Sequence, residues 1–318
     1  MLFRSDAGVD TLIFDTSNAV LYLDTLKALC DMYLQIRSEG GKTPQLTFLI
    51  HNDAARDLFE QFFSIERYKE LWFYWKGRPL VLPVREPSGL DQELKDFFTL
   101  RHCWAWTSGQ DTWSWVTHWP QQYGWHESPD LPEELSVSIA QHPTTNYGRS
   151  NLGNMQPPYD DDFRTGTEHL GLYFEQQWQR ALEVDPEFIY VTGWNEWIAG
   201  HYIVQPGTDT AFLGKQLNLG DYFHVDGFNE EYSRDAEPMN GGYSDNYYFQ
   251  LASFIRKYKG VRPPEVTSAA KTIALDGDFS DWAEVGPEYR DHVYDPVERD
   301  WPGESHLIQY VNNSGRND

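Results

Sequence analysis

The stretch FIYVTGWNEWIAGHYIVQP, residues 188–206, changes character near its middle. Its first six residues, FIYVTG, are apolar or β-branched and end at a glycine, which is typical of a buried parallel strand. The residues that follow set one acid, Glu196, between Trp194 and Trp197. Parallel α/β folds bind ligands at the carboxyl ends of their strands, so an acid in this position indicates a functional site.

The rest of the chain repeats this strand pattern and places helical periodicity between several of the strands. Six further strands are predicted at the apolar runs 11–16, 46–51, 79–83, 98–106, 136–141 and 222–228. Helices are predicted at 20–37, 54–69, 168–183 and 244–258. Such alternation predicts parallel pairing through right-handed crossovers, hence an α/β fold that is either a (β/α)8 TIM barrel or a doubly wound sheet. We favour the barrel because polar residues end the strands.

The expected domain organisation follows from the strand count. Seven predicted strands are one fewer than a (β/α)8 barrel requires. The opening DAGVDTLIFDTSN, residues 6–18, also has the pattern of a helix end, a turn and a strand from the middle of such a fold. We therefore expect residues 1–260 to form a barrel domain that lacks its first strand. A linker rich in Pro, Ser and Ala is expected at 261–271, and the truncated start of a β-rich domain at 272–318.

Composition excludes some classes of partner. The 318 residues include 25 Lys and Arg against 49 Asp and Glu, a formal net charge of −24, so we expect no nucleic-acid partner. No apolar run is long enough to cross a bilayer, and no membrane-spanning segment is expected.

Aromatic residues make up 16% of the chain, more than core packing usually demands, which indicates that some rings face a ligand. Cys30 and Cys103 lack metal-ligand spacing and are expected to be buried.

Glu196 is the strongest candidate for catalysis. A carboxyl group between two indoles is expected to be partly desolvated, which favours proton exchange near neutral pH. Indole faces also stack on the C–H groups of a pyranose ring, and Asn195 is suited to binding sugar hydroxyl groups. The alternative is a structural role, in which Trp194 and Trp197 fill the end of the barrel and Glu196 pairs with an arginine.

The motif GWNEWIAGHYIVQP, residues 193–206, resembles the W-N-E-W-x-E-G motif of glycoside hydrolase family 99 and the related WbsX-like domains. The stretches 6–18 and SRDAEPMNGGYSDNYYFQL, residues 233–251, extend the resemblance over most of residues 6–259. It implies a (β/α)8 barrel, extracellular or periplasmic, that hydrolyses α-linked glycans with two motif glutamates as base and acid. In the mannan-cleaving members, the implied mechanism has the first glutamate deprotonate the sugar 2-hydroxyl, which attacks the anomeric carbon to give an anhydro-sugar.

The chain departs from that motif at the second acid, where it has Ala199. Glycoside hydrolysis normally needs a second carboxyl group to protonate the leaving oxygen or to activate water. The segment after the following strand offers three acids: Glu231, Asp235 and Glu237. We favour Glu237, which precedes a proline and lies near Arg234. The alternative is an ion pair between Arg234 and Asp235 that only fixes the loop.

Further substrate-binding candidates come from other strand ends and from aromatic loops. The candidates at predicted strand ends are Asp15, His51, Asn52, His142 and Asp226. The candidates in the segments that follow strands are Arg101, Trp104, Trp106, Asn146 and Arg149. The tryptophans are expected to be sugar platforms, with interior packing as the alternative for some of them. Arg149 suits a sulfate or uronate, unless it only neutralises neighbouring acids.

These features together predict a glycoside hydrolase that cleaves a polysaccharide, with no cofactor and no metal site. YDDDF at 159–163 lacks the ligand spacing of a calcium loop. IALDGDFSDW at 273–282 resembles the start of family 9-like carbohydrate-binding modules.

One alternative is a barrel that binds glycans without cleaving them, because of Ala199. A glycosyltransferase is the other alternative, and it would need a nucleotide-sugar phosphate site that is not evident. The sequence predicts neither the glycan nor the oligomeric state.

Overall fold

The computed structural model describes residues 2–117, 119–139, 168–194, 199–203, 205–206, 218–220, 222–226, 235–238, 243–260, 266–286, 300–301 and 308–309. The chain divides into two compact units, one that ends at Tyr258 and one that begins at Lys259. The first unit is a mixed α/β structure with several sheets. No helix in these ranges is long and apolar enough to cross a membrane.

The regular elements are mostly short. The α-helices are α1 (Leu2–Ala7), α2 (Leu23–Ser38), α3 (Ala55–Leu58), α4 (Gln92–Phe97), α5 (Leu172–Val184) and α6 (Asn246–Lys259). The strands are β1 (Thr11–Thr16), β2 (Gln45–Ile50), β3 (Tyr74–Trp75), β4 (Arg78–Pro83), β5 (Thr99–Leu100), β6 (His102–Cys103), β7 (Gly109–Gln110), β8 (Thr112–Trp113), β9 (Gly124–Trp125), β10 (Pro132–Ser138), β11 (Phe188–Thr192), β12 (Ala199–Ile203), β13 (Tyr222–Asp226), β14 (Asp300–Trp301) and β15 (Ile308–Gln309). Short 3-10 turns lie at Asn52–Ala54, Glu66–Leu71, Pro87–Gly89, Glu168–Leu170 and Ser280–Trp282, and a π-helical turn at Phe59–Phe63.

One sheet is formed by β1, β2, β4 and β5, which pair in parallel in that order. The register runs from Thr11 opposite Gln45 to Thr16 opposite Ile50. β3 adds an antiparallel hairpin to the start of β4. Its turn has positive φ at both Lys76 (49°) and Gly77 (89°), the geometry of a tight two-residue hairpin. The parallel strands therefore end at a common edge.

A second sheet has the order β11, β10, β9 and β7. β10 and β11 are parallel, with Ser138 opposite Thr192 at their carboxyl ends, and β9 is antiparallel to β10. β6 pairs with β8 in parallel, and β12 pairs with β13 antiparallel. Within the described ranges, this strand pairing does not close into a ring.

The predicted helix at 54–69 is wrong as one continuous helix. The chain instead forms α3, the π-helical turn and a 3-10 helix in succession. This segment buries the adjacent rings of Phe62 and Phe63, which contact each other and share Phe48 as a neighbour. Phe62 also contacts Tyr68, and Phe63 also contacts Phe98 and Trp72. A single amphipathic helix would turn consecutive side chains about 100° apart, and the irregular turns accompany the burial of both rings.

Three apolar clusters form the core. Two of them lie under helices: one under α2 and the 54–71 segment, the other between β10, α5 and α6. The third, which we call the interior cluster, takes side chains from strands of both sheets and of the β6–β8 pair: Leu49, Leu80, Leu82, Cys103, Trp113 and Tyr190, with Ile13 packed against them. The inward faces of these strands therefore share one interior.

A buried ion pair between Arg101 and Glu133 lies beside this cluster. Arg101 is 4% exposed and Glu133 2%. Arg101 donates from Nε to Oε2 at 2.6 Å and from Nη2 to Oε1 at 2.7 Å. The indole N–H groups of Trp75 (2.8 Å) and Trp113 (2.9 Å) donate to the same carboxylate. Burial alone would raise the pKa of Glu133, but the bonds from Arg101, Trp113 and Trp75 outweigh it and lower that pKa. Glu133 is therefore held as a charged group.

Glu134, the next residue, is in the opposite situation. It is 1% exposed, and its Oε2 accepts one bond, from the Ser114 backbone N–H at 3.1 Å. Its Oε1 has no hydrogen-bond partner in the described part of the chain. Burial raises the pKa of Glu134 well above its usual value; the Ser114 N–H opposes this, and the charge of Glu133 adds to it. The neutral acid is therefore the favoured form of Glu134.

In the second unit, aspartates stabilise their own turns. Asp276 accepts from the backbone N–H of Asp278 at 3.0 Å, and Asp278 from that of Ser280 at 2.9 Å. Asp281 accepts from the Ala274 N–H at 2.7 Å. The bonds from Ser280 lower the pKa of Asp278. These contacts account for the acids of the DGDFSD stretch as turn-forming residues.

Glu133→Gln is expected to lower the free energy of unfolding by about 3–5 kcal/mol, because the buried Arg101 loses its bidentate carboxylate and keeps only Asp111, whose Oδ1 lies 3.4 Å from Nη1. Denaturant unfolding followed by tryptophan fluorescence measures the change. The control is Glu187→Gln, since Glu187 pairs with Lys76 at the surface and its side chain is 51% exposed. That variant should lose less than about 1 kcal/mol. Equal losses in both variants would contradict the structural role of the buried pair.

Glu134→Gln is expected to stabilise the protein increasingly as the pH rises. The folded-state pKa of Glu134 is raised, so its contribution to stability is full below the unfolded pKa of about 4.3 and is lost as pH rises through the folded pKa. The loss is at most about 1.4 kcal/mol per pH unit. Glutamine keeps the acceptor for Ser114 and removes the titration. Unfolding curves from pH 4 to 8 should show a widening difference from wild type, and a constant difference would exclude Glu134 as the titrating group.

Candidate functional site

The candidate site lies at the edge where the parallel strands end. Thr16 accepts from the backbone N–H of His51 at 3.2 Å, and Ile50 accepts from that of Val84 at 3.0 Å. These bonds continue the pairing of β1, β2 and β4 one residue beyond the strands. The structure therefore brings the first residues after these strands to one edge.

Asn52 holds two loops of this edge together. Its Nδ2 donates to the carbonyls of Arg85 (3.3 Å) and Glu86 (3.2 Å), and its Oδ1 accepts from the Arg85 N–H at 3.1 Å. The neighbouring His51 accepts at Nδ1 from the Asp53 N–H at 3.3 Å. Asn52 was predicted to bind substrate, and the structure shows its amide engaged in fixing the loop that follows β4.

A histidine and a glutamate meet at the same edge. Nδ1 of His102 lies 3.5 Å from Oε1 of Glu86, and its Nε2 lies 3.3 Å from the carbonyl oxygen of Val84. A carbonyl only accepts hydrogen bonds, so the bond at Nε2 requires the hydrogen there. Glu86 was not among the predicted site residues. Its position directly after a strand, in VREP at 84–87, was the available signal.

Asp15 is the penultimate residue of β1, and its side chain is exposed. Its Oδ1 accepts from the Ser17 N–H at 2.8 Å, which turns the chain after the strand. Burial raises the pKa of the Cys103 thiol well above its usual value, and the carboxyl groups of Glu134 and then Asp15, where ionised, raise it further.

The segment 104–107, which we call the aromatic turn, presents two indoles to solvent. Trp104 and Trp106 are each 43% exposed, which a sugar platform requires. The Thr107 hydroxyl lies 2.8 Å from the Trp104 carbonyl oxygen, and the Trp106 N–H donates to Val116 at 2.7 Å. Trp106 has a φ of 59°, a left-handed conformation that costs about 1–2 kcal/mol in a residue other than glycine. The turn is therefore held in place by bonds rather than by apolar burial of its rings.

The end of β11 is anchored on three sides. The Thr192 hydroxyl donates to the carbonyl of Trp115. The Gly193 carbonyl accepts from the Ala236 N–H at 3.0 Å. The ring of Trp194 contacts Tyr248 of α6, with centroids 6.3 Å apart at 76°. Burial, followed by the charge of Asp6, raises the pKa of Tyr248.

The segment 235–238 packs against this strand end. Asp235 is buried, and its Oδ1 accepts from the Glu237 N–H at 2.7 Å. Glu237 is half-buried. The structure thus brings the predicted acid Glu237 close in the backbone to Gly193, three residues before Glu196. Asp235, predicted to bind substrate, lies inside the segment and shapes its turn.

The remaining candidates divide into three groups. Those that lie outside the described residues are His142, Asn146, Arg149, Asn195, Glu196, Trp197 and Arg234. Asp226 is the last residue of β13, and its backbone lies opposite Ala199 of β12. Arg101, predicted to bind substrate, is buried, and its guanidinium is bound to Glu133.

Neither a metal-binding cluster among the described residues nor a similarity to known proteins assigns a function to this site. Among the described residues, no group of three or more His, Cys, Asp or Glu is arranged to hold a metal ion. Comparison of the chain with protein-family models, with curated proteins and with solved structures finds no match. The functional interpretation therefore depends on the geometry of the strand-end edge and on the motif around Glu196.

Proposed function

We propose that the chain is a glycoside hydrolase that cleaves a polysaccharide, with Glu196 as the base and Glu237 as the second carboxyl group. The supporting observation is the hydrogen bond from the Ala236 N–H to the Gly193 carbonyl, at 3.0 Å. It ties the residue before Glu237 to the strand end that leads into Glu196. Two acids on neighbouring segments at strand carboxyl ends are the arrangement that glycosidic cleavage needs.

We further propose that these residues sit on a (β/α)8 barrel. A doubly wound sheet has helices on both faces and no interior shared by all of its strands. The interior cluster instead takes side chains from β1, β2, β4, β6, β8 and β11. A barrel interior filled by such layers is what the fold requires.

The proposed reaction uses the two carboxyl groups in complementary protonation states. Glu196 takes the proton of the sugar 2-hydroxyl, whose oxygen forms a bond to the anomeric carbon. The bond from that carbon to the leaving oxygen breaks, and Glu237 supplies the proton that the leaving oxygen needs. Water then opens the anhydro-sugar by the reverse proton transfers. The exposed Trp104 and Trp106 bind the glycan by stacking.

Specific observations support two alternatives, one for the identity of the second acid and one for the function. The backbone of Asp226 lies directly opposite that of Ala199 in the antiparallel pair of β12 and β13. Asp226 is therefore the second candidate for the missing acid. Ala199 itself favours a second function, a barrel that binds glycans without cleaving them. We also propose an extracellular or periplasmic location, and for the second unit a relation to carbohydrate-binding modules.

Glu196→Gln is expected to lower turnover by orders of magnitude while glycan binding is kept, because the amide preserves shape and cannot ionise. Release of reducing ends from yeast α-mannan and other α-linked or sulfated polysaccharides, together with binding to the same glycans, measures both properties. Glu66→Gln, at an exposed surface position, is the matched control. Full activity in purified Glu196→Gln would refute the assignment.

Glu237→Gln is expected to slow substrates with poor leaving groups far more than activated aryl glycosides, whose leaving oxygen needs little protonation. The ratio of kcat/KM between the two substrate classes is the measurement. Asp226→Asn is compared in the same assay. A selective loss in Asp226→Asn, with an equal loss on both substrate classes in Glu237→Gln, would move the role of acid to Asp226. If no glycan is cleaved by wild type but glycans are bound, the binding function is correct.

A further inference from the structure

His51 follows β2 and lies on the inward side of that strand, at the strand-end edge. Phe48 and Ile50 pack in the cluster under α2, whereas Leu49 belongs to the interior cluster, so the strand alternates between the two sides. The His51 N–H donates to the Thr16 carbonyl and continues the strand by one residue, which puts His51 on the side of Leu49. Leu49 is buried, but the side chain of His51 is 18% exposed. Solvent therefore reaches the inward side of β2 at the layer of His51.

Asp15 holds the corresponding position on β1. Ile13 packs against the interior cluster and Phe14 against the cluster under α2, so the alternation places Asp15 on the inward side as well. β1 and β2 are parallel neighbours, with Asp15 opposite Leu49. The side chain of Asp15 is exposed. Asp15 and His51 are therefore diagonal neighbours on one solvent-accessible face.

Each of these two side chains keeps a polar atom free. The Nδ1 of His51 accepts from the Asp53 N–H at 3.3 Å, which places the hydrogen of the neutral ring on Nε2. Nδ1 also lies 3.5 Å from the Asp53 carboxylate, but that group is 77% exposed and contributes little. Within the described part of the chain, Nε2 has no acceptor and is not one of the buried unpaired atoms. The Oδ1 of Asp15 accepts from the Ser17 N–H, and its Oδ2 is bonded to no residue in the described ranges. The face thus presents one unpaired donor and one unpaired acceptor.

A second histidine shows what distinguishes His51. The Nδ1 of His126 lies 2.5 Å from Oδ1 of Asp111, and its Nε2 likewise has no partner among the described residues. The ring is 45% exposed. His126 follows β9, whose last residue, Trp125, lies opposite Pro132, the first residue of β10. It therefore lies near the amino end of β10 and away from the carboxyl ends of the strands, which makes it a matched control.

We propose that Asp15 and His51 form a subsite for an uncharged pyranose, in which one sugar hydroxyl donates to Oδ2 of Asp15 and a neighbouring hydroxyl accepts from Nε2 of His51. A hydroxyl group both donates and accepts, so two adjacent hydroxyls pair with a carboxylate and an N–H at once. This inference rests on the proposed glycan function and adds the class of sugar. A sulfate ester or a uronate here would bring a negative charge to the Asp15 carboxylate, in a chain whose net charge is already −24. The subsite therefore selects against anionic glycans.

Two substitutions of His51 separate binding from structure. His51→Asn supplies an oxygen about where Nδ1 lies, so it keeps an acceptor for the Asp53 N–H and removes the Nε2 donor. His51→Gln gives up that acceptor and places an amide N–H about where Nε2 lies. Titration calorimetry with neutral oligosaccharides from yeast α-mannan and from dextran measures the dissociation constant, and scanning calorimetry the melting temperature. His51→Asn should raise the dissociation constant of the best probe roughly fivefold, the worth of one neutral hydrogen bond, at an unchanged melting temperature. His51→Gln should stay within about twofold of wild type, whatever its melting temperature.

Asp15→Asn tests the acceptor and the charge. The amide oxygen still accepts from the Ser17 N–H, and the ionised acceptor is lost. The dissociation constant of the same neutral probe should rise roughly tenfold to a hundredfold, the range for a hydrogen bond to a charged group. Wild type should bind a chemically sulfated form of that oligosaccharide more weakly than the neutral form, and Asp15→Asn should narrow this difference. His126→Asn should leave the dissociation constant within about twofold.

The outcomes separate this subsite from the hydrolase proposal. An unchanged dissociation constant in His51→Asn or in Asp15→Asn overturns the subsite, even if wild type releases reducing ends from a polysaccharide. Weaker binding in both variants with no hydrolysis by wild type supports the subsite and rejects the hydrolase. The subsite is also overturned if His51→Gln or His126→Asn weakens binding as much as His51→Asn does, if wild type prefers the sulfated probe, or if wild type binds no probe.

Discussion

The carboxylate of Glu133 is the group on which the arrangement of the strands depends. A buried charge is tolerated only when it is paired and fully hydrogen-bonded, and here Arg101, Trp75 and Trp113 supply four bonds. Each donor comes from a different part of the chain, so satisfying one acid fixes the β3 hairpin, the β5–β6 junction and β8 against β10. Trp113 then stacks on Phe188 at 4.7 Å, the first residue of β11. The strand that leads to Glu196 is thereby positioned from its amino end.

Adjacent acids on β10 reach opposite protonation states because their surroundings differ. Glu133 meets a guanidinium and two indoles, whereas Glu134 meets one backbone N–H and the negative charge of its neighbour. Two charged carboxylates in the same interior would repel each other in a medium that screens poorly. One charged and one neutral acid, balanced by one arginine, leaves the interior close to electrically neutral. Burial in this interior likewise raises the pKa of the Cys103 thiol and favours its protonated form.

The sequence predicted the apolar strands well and the polar interior poorly. The strands at TLIFDT and FIYVTG can be predicted from local sequence, because their β-branched and apolar residues suit buried strands wherever they pack. The predicted strand at 136–141 instead begins at Pro132, since PEELSVS reads as polar until Arg101, 32 residues away, is known to neutralise Glu133. Exposure of Trp104 beside a buried Trp113 likewise depends on contacts distant in sequence. Residue type alone therefore does not show which tryptophans are exposed enough to stack on a sugar and which are packed in the core.

Thr192, the last residue of β11, and Gly193, which follows it, show how a second acid could come from outside the motif. Thr192 is bound to the Trp115 carbonyl and Gly193 to the Ala236 N–H, so the segment that follows β8 and the segment of Glu237 are both attached to this strand end. The Ala236 bond is made by backbone atoms, and its geometry does not depend on which side chain occupies position 237. The strand end therefore fixes where a carboxyl group would stand and leaves the chemistry of that position free to vary. A carboxyl group at position 237 can in this way be placed beside the strand end without any change to β11 itself.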